Sequence, residues 1–289
     1  MPWIHRCLTD LRKSSQPTDV FIVDNCSTDE TRTYIPSHFP EVIWCPQERN
    51  LGFGQGNNIG LRYAIDNAYD YVLLLNQDAY LSADALEKIL AVSDGVSVLS
   101  PLHLNGNGTK LDPMFKVSMK MSCDVNDMMD DILLKGKTAK CYPSAEIGAA
   151  CWFMPLSVIR RIGGFNPLFF HYSEDNNYYH RLTYHGVKMI VVPESRVCHD
   201  RKELYGNVAA FNSKKIHRDI LLIMCNINGG MFYILSQLVK AWMVYHFYLL
   251  PKRQYRLGSF SKEILWSIMH CSVLKNSRRN ERSEGKTWL

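Results

Sequence analysis

The stretch LLLNQDAY, residues 73–80, runs three leucines straight into two amides and a carboxylate. A short apolar run bounded by polar residues reads as a strand buried on both faces, and strands of that kind belong to parallel sheets covered by helices. The change at Asn76, Gln77 and Asp78 sets those side chains at the strand's carboxyl end, where open α/β sheets bind ligands. A strand leaving the core for an ordinary polar turn gives the same pattern. The stretch therefore points to a fold class and leaves the chemistry open.

Working outward, DVFIVD (19–24), EVIWCP (41–46) and VSVLSP (96–101) have the same bounded apolar character. Helical segments lie between them: STDETRTYI (27–35), where Ser27 or Thr28 offers an N-cap, then residues 55–68, then SADALEKILAV (82–92). Ile4, Cys7, Leu8 and Leu11 recur at helical spacing, so the chain opens on a helix. This alternation predicts an α/β protein with a mostly parallel sheet and helices on both faces. Past residue 101 the pattern loosens, and NGNGTK (105–110) is a turn. Order returns at AEIGAACWFMP (145–155), at a helix LSVIRRIG (156–163), and at two strands, VKMIVVP (187–193) and SRVCHD (195–200). Beyond residue 203 the chain reads as helical. There the apolar segment 231–250 is interrupted by Gln237, Lys240 and His246, as suits a helix packed on the rest of the chain or one lying at a membrane face.

Of the 289 residues 46% are hydrophobic and 21% charged, enough apolar material for a large core and no signature of disorder. The nine cysteines include no CxxC pair, which suits small buried thiols in a reducing, cytoplasmic compartment. The first residues hold no apolar run of signal-peptide or anchor length. Net charge is +5, but residues 251–289 alone carry +6, leaving the body near −1. A basic tail suggests an anionic surface such as a membrane as partner, while the body does not read as a nucleic-acid-binding domain.

Three places could carry chemistry. NLGFGQGNNIG (50–60) sets Gly52, Gly54, Gly56 and Gly60 around a helix start, where backbone amides can approach an anion. Ile59 breaks a GxGxxG match, and a tight strand-to-helix turn would need such glycines anyway. FFHYSEDNNYYHRL (169–182) sets Glu174 and Asp175 among aromatic rings, where repulsion and burial would raise a carboxyl pKa towards that of a general base. An acidic helix start capped by Ser173 is the structural alternative. His199 ends a strand, a place more often filled by a structural histidine than by a metal ligand.

VDNCSTDET (23–31), NLGFGQGNNIG (50–60), LLLNQDAY (73–80), the segment 148–175 containing GGFN and YSED, and VPESRVCHD (192–200) occur together in one order. In that order they resemble the family 2 glycosyltransferases of the GT-A fold, and the rhamnosyltransferase-like branch in particular, over roughly residues 2–200. The resemblance implies an inverting enzyme that uses a nucleoside diphosphate sugar, UDP- or dTDP-linked, with Mg2+ or Mn2+. Its acceptor would be a glycan or lipid-linked glycan of bacterial surface polysaccharide synthesis. The family's DxD becomes Asn76-Gln77-Asp78, with Asp78 on the cation and His199 a further metal ligand. Asp24 and Asn25 would meet the base or ribose. Asn50, Gly52, Gly54, Asn57, Asn58 and Asn76 would line the nucleotide pocket. Asp175 matches the catalytic base, with Glu174 tuning or positioning it.

Two departures stand out. Asn166 replaces the aspartate of the family's GGFD. The family's first strand, ending in a VTYN-like motif, also has no counterpart ahead of the opening helix. Its neighbours would then carry unpaired backbone groups along a buried edge, the mark of a start upstream of Met1 or of a damaged copy. The expected organisation is a GT-A domain at 1–202, with a nucleotide part at 1–100 and an acceptor part at 101–202, followed by a helical basic region at 203–289. Two rivals stay open, a sugar nucleotidyltransferase and a non-catalytic sugar-nucleotide-binding relative.

Overall fold

A computed structural model of the chain describes residues 3–120, 125–201, 208–249, 258–285 and 287–289. The first half alternates as its periodicity requires: α1 (Ile4–Arg12), β1 (Phe21–Asp24), α2 (Thr31–His38), β2 (Ile43–Pro46), α3 (Phe53–Asp66), β3 (Tyr71–Leu75), β4 (Ala79–Leu81), α4 (Ala85–Leu90) and β5 (Val98–Asn105). Then follow α5 (Pro113–Lys120), α6 (Val125–Lys135), β6 (Tyr142–Ser144), β7 (Cys151–Pro155), α7 (Leu156–Ile162), α8 (Glu174–Tyr184) and β8 (Met189–His199). The rest is helical: α9 (Val208–Cys225), α10 (Met231–Met243) with a π-helical turn to Leu249, α11 (Ser259–Met269) and α12 (Cys271–Arg282).

The main sheet has the order β3-β7-β5-β8-β4, with β6 also on β8. β7 is antiparallel to both β3 and β5, and β5 is parallel to β8, so β3, β5 and β8 run one way. β1 and β2 are parallel to each other. Gly60 lies against Phe21 and Gly56 against Val23, so α3 runs back along β1, and a short turn after Asp66 sends β3 back along α3. Five strands therefore share one direction, which makes the fold mostly parallel with a reversed strand in its middle. Helices cover both faces. Leu61, Ala64 and Ile65 of α3 join Leu74, Trp152, Met154 and the helices α7 and α8 in the main core. Leu86 and Ile89 of α4 pack with Leu99, Phe153 and Val192 on the other face.

β1 and β2 form a two-stranded sheet of their own. α1 and α3 hold it beside the main one: Leu11 packs against both the Ile4–Leu8–Phe39 cluster that Ile22 joins and the Leu86–Ile89–Leu99 cluster that Leu73 joins, while α3 touches Phe21, Val23 and Leu74. No ladder joins β1 to β3 among the described residues. The bonds from Leu156 N–H to Asp70 O and from Asn76 N–H to Ala150 O show that even-numbered residues of β3 face β7. Tyr71, Leu73 and Leu75 therefore turn their peptide groups away from β7; Pro155, which lacks an N–H, sits opposite Tyr71. On β1 the bonds from Ile43 N–H to Val20 O and from Gln47 N–H to Asp24 O leave Phe21 and Val23 turned away from β2. Among the described residues β1 and β3 thus each carry backbone groups without a ladder partner, as the sequence reading expected. Their residues are half-buried and reach solvent, whereas the sequence reading had them on a sealed edge.

Two local readings change. α2 starts at Thr31, preceded by Glu30, with no side-chain cap, because Asp24 Oδ1 takes the Ser27 N–H and holds 25–30 as a loop. The two strands read at 187–200 are one, β8, whose pairing with β5 jumps from Val192 to Arg196. Pro193 sits in that bulge, where no ladder N–H is required. The C-terminal helices pack on α8 and on the loop before it through Phe169, Leu221, Cys225 and Leu274, and Leu289 returns into the main core.

Candidate active site

The expected ligand-binding end of the sheet is where the polar residues gather. β3 and β4 are joined by a tight turn in which Ala79 N–H donates to Asn76 O at 3.0 Å, and this turn presents Asp78. β4 pairs with β8 so that Ala79 faces His199. His199 Nε2 then lies 3.3 Å from Asp78 Oδ1, with His199 buried and Asp78 partly open. His199 Nδ1 is buried without a hydrogen-bond partner. The side-chain amide of Asn76 makes no hydrogen bond among the described residues, while its backbone O also accepts the Cys7 thiol at 3.9 Å.

Asp175, in the first turn of α8, reaches the same end through β7. Ala149 N–H donates to Asp175 Oδ2 at 3.3 Å, and the next residue, Ala150, accepts the Asn76 N–H at 2.9 Å. Two consecutive residues thus tie the Asp78 turn to Asp175. Asn176 N–H donates to Asp175 Oδ1 at 2.9 Å. Burial raises the Asp175 pKa, opposed by these N–H donors and by the charge of Arg201, which is anchored on Asp112 at 3.0 Å. Glu174 is buried, with Oε2 unpartnered, and burial followed by the Asp175 charge pushes it up to about 7. Glu146, in the loop leading to β7, is pushed to about 7 by the same two causes. Sequence reading missed Glu146; only its position three residues ahead of Ala149 links it to the base candidate. The Ser173 hydroxyl makes no cap bond. Tyr172 and Ser173 instead take left-handed φ values of 68° and 71°, a strained approach of the kind that clusters at functional sites.

On the two-stranded side, Asp24 is buried at the end of β1, accepting from Ser27 N–H at 3.0 Å and from Arg32 Nε at 3.2 Å. Arg32 was also missed, since a helix arginine eight residues on carries no motif. Asn25 braces the glycine loop, accepting the Leu51 N–H at 2.7 Å and donating to Gly52 O at 2.9 Å, while Asn50 accepts the Gly52 N–H at 2.8 Å.

Several expected pocket residues have other work. A Cβ on Gly52 would stand 1.9 Å from Phe170 O, and one on Gly54 would stand 2.8 Å from Phe165 Cβ, so these glycines admit the 165–174 segment. Asn58 donates to Phe165 O at 2.9 Å and accepts the Phe165 N–H at 2.6 Å, consuming both ends of its amide in a buried clamp. Asn57 donates to Phe53 O at 2.9 Å. The structure brings Asn76, Asp78, His199, Asp175 and Glu174 together; it sets Asn58 and Gly54 behind them as support.

Asp78 and His199 fit one divalent cation in separation, since neighbouring ligands about 2.1 Å from an octahedral metal lie about 3 Å apart. No group of three or more His, Cys, Asp or Glu side chains suited to a metal occurs among the described residues.

Residues 2–99 match the family model Glycosyl transferase family 2. The chain is 28% identical over 165 residues to the low-salt glycan biosynthesis hexosyltransferase Agl10 of Haloferax volcanii, covering 55% of this chain and 52% of that one. It is 21% identical over 251 residues to the N-acetylglucosaminyl-diphospho-decaprenol L-rhamnosyltransferase of Mycobacterium tuberculosis, covering 79% and 82%. The chain thus spans about half the length of the hexosyltransferase and most of the rhamnosyltransferase. GalNAc-T7, solved with UDP, GalNAc and Mn2+, superposes at a TM-score of 0.61 with 15% identity, over 99% of this chain and 53% of that one. S. aureus TarS 1–349 with UDP gives 0.54 with 16% identity, over 97% and 86%.

Proposed function

We propose that this chain, related to the family 2 glycosyltransferases and built on the GT-A fold, is an inverting glycosyltransferase. It would move a hexosyl or deoxyhexosyl group from a UDP- or dTDP-sugar to a glycan or lipid-linked acceptor in bacterial surface polysaccharide synthesis. One observation carries the reading: the backbone of Ala149 and Ala150 ties a partly open carboxylate–imidazole pair to a half-buried carboxylate at one end of the sheet. Sugar transfer with inversion needs those two things side by side, a grip on the diphosphate and one base facing the acceptor.

In this reading Asp78 and His199 hold Mg2+ or Mn2+, and such a cation, when bound, neutralises charge on the diphosphate leaving group. Asp24 and Asn25, at the end of β1, meet the base or ribose, and Asn76 offers its unbonded amide to the donor. Asp175 takes the proton from the acceptor hydroxyl as that oxygen attacks the anomeric carbon. Glu174 and Glu146 beside it, carried towards neutrality by burial, keep the number of negative charges around the base low. The relatives support the acceptor class, one being a decaprenol-linked rhamnosyltransferase by name. Residues 1–202 form the transferase portion of this proposal, divided at 100 into donor and acceptor parts. Residues 203–289 form a helical region that holds the protein at the inner face of a membrane.

Incubation with a panel of nucleotide sugars and lipid-linked glycan acceptors, followed by product analysis, tests the reading. Transfer with inverted anomeric configuration is the expected result. A non-catalytic sugar-nucleotide-binding relative is favoured by the unpaired edges of β1 and β3. Donor binding without hydrolysis or transfer would establish it, and use of a sugar phosphate with a nucleoside triphosphate would establish a nucleotidyltransferase instead.

A further inference from the structure

The helices α10 and α11 are half-finished as core elements. α10 turns Ile234, Leu238 and Ala241 inward, and Tyr245 beyond it packs with Ile216 and Ile220 of α9 and with Phe260 of α11. Its other side is also apolar. Phe232 is 91% exposed and Phe247 72% exposed, and Leu235, Val239, Trp242 and Met243 stand exposed between them. α11, which packs on the same cluster, likewise leaves Leu265, Ile268 and Met269 exposed. Isolated apolar residues on a surface need no explanation, but a contiguous face of this extent marks an interaction site.

The unpaired charges of α10, α11 and the following α12 are of one sign. Lys240, Lys262, Lys275, Arg279 and Arg282 are exposed and have no carboxylate partner among the described residues. The acidic residues of the same helices are turned elsewhere: Asp219 to Lys215 and Tyr245, Glu263 to His217, and Glu281 into the interior. Two copies joined through this face would bring like charges together. An anionic bilayer would satisfy both the apolar side chains and the cations.

We infer that the outward face of α10 and α11 docks in the headgroup region of an anionic membrane, with Phe232, Trp242 and Phe247 as its anchors and the lysines and arginines on lipid phosphates. α10 and the π-helical turn that continues it run from Met231 to Leu249 with Gln237, Lys240 and His246 along them, and no helix of the described residues is long and apolar enough to cross a bilayer. The helix therefore lies in the membrane plane. α9 packs on both helices and α12 on α11, and both α9 and α12 touch α8, whose first turn carries Asp175, so docking fixes the orientation of that site relative to the lipid surface. The inference rests on the membrane part of the reading above and is independent of the sugar chemistry, so vesicle binding and sugar transfer fail separately.

The full chain is sedimented with vesicles of phosphatidylcholine alone and of phosphatidylcholine mixed with phosphatidylglycerol. Light scattering without lipid records its mass. Phe232→Ser with Phe247→Ser, and Lys240→Glu with Lys262→Glu, are measured alongside; all four side chains are exposed, so circular dichroism should be unchanged. The expected result is binding to the anionic vesicles that falls at least about tenfold in each double variant. Absence of binding to anionic vesicles, or equal binding by the variants, overturns the inference. So does a dimer in the absence of lipid that the phenylalanine pair dissolves, which would make the face a contact between copies.

Discussion

Asn166 Nδ2 donates to Glu281 Oε1 at 2.6 Å, joining residues 115 positions apart in the buried seam between the GGFN turn and α12. The same oxygen accepts from Asn177 Nδ2 at 2.8 Å, and Asn166 also reaches Ser277 Oγ at 2.7 Å. An aspartate at 166, as in the family's GGFD, would face Glu281 with a second carboxylate. The asparagine supplies the donor that this glutamate requires, so the departure at 166 and the identity of residue 281 explain each other.

Glu281→Ala strands two buried amide donors beside the buried Arg181 and should cost about 2–4 kcal/mol of unfolding free energy. Glu281→Gln keeps an acceptor oxygen of the same shape and should cost clearly less. Urea denaturation of both variants checks the order; equal losses would mean that packing, and not the hydrogen bonds, matters at this seam.

Asp78→Ala should remove cation-dependent binding of UDP or dTDP while the melting temperature stays close to wild type, because Asp78 sits in a partly open turn outside the core. Calorimetry with and without Mn2+ is the measurement. Unchanged nucleotide affinity in the variant would take the metal away from this residue.

Asp175→Asn should preserve donor binding and lower transfer by on the order of 10²-fold or more, the contribution expected of a positioned base. The amide retains the size of the carboxylate but cannot take a proton. A wild-type rate in this variant would exclude Asp175 as the base.

Glu174 carries a folded pKa of about 7 against an ordinary 4.5, so the folded state binds its proton more tightly than the unfolded chain does. Stability linked to this group is then full below about pH 4.5 and is lost as pH rises towards 7, by up to about 3 kcal/mol. Glu174→Gln should flatten that part of the melting-temperature profile between pH 5 and roughly 8. A profile identical to wild type would show that burial does not hold the proton there.

The alternation that sets the fold was legible because bounded apolar runs and helical spacing are local properties. The Asn76–Asp78 break lies at the end of the sheet where His199 and Asp175 also gather. β4 was not legible: three residues, Ala79 to Leu81, are too short to show a period, yet they bring His199 beside Asp78. The packing roles of Asn58 and Gly54 were hidden for a related reason. A glycine or asparagine at a helix start suits an anion and a tight packing contact equally, and only the arrival of Phe165 from 107 residues away decides between them. Glu146 and Arg32 escaped notice because their meaning lies in what they face.

Asp24 ends β1 and Asp78 follows β3, on opposite sides of the unladdered slot between those strands. Among the described residues no hydrogen bond spans the slot at that height; at its other end Tyr69 Oη donates to Asp19 Oδ2 at 2.6 Å, and otherwise the spacing of the two halves is kept by Leu11 on one side and by α3 on the other. Side-chain packing resists sliding far less stiffly than a row of peptide hydrogen bonds does. The two-stranded unit is therefore a compliant jaw, and the amides of Phe21, Val23, Tyr71, Leu73 and Leu75 should exchange hydrogen with solvent much faster than those of Val72 and Leu74. A donor that bridges both halves would stiffen the jaw and slow that exchange, which makes the alternating protection along β3 a direct gauge of how firmly the two sides of the site are held together.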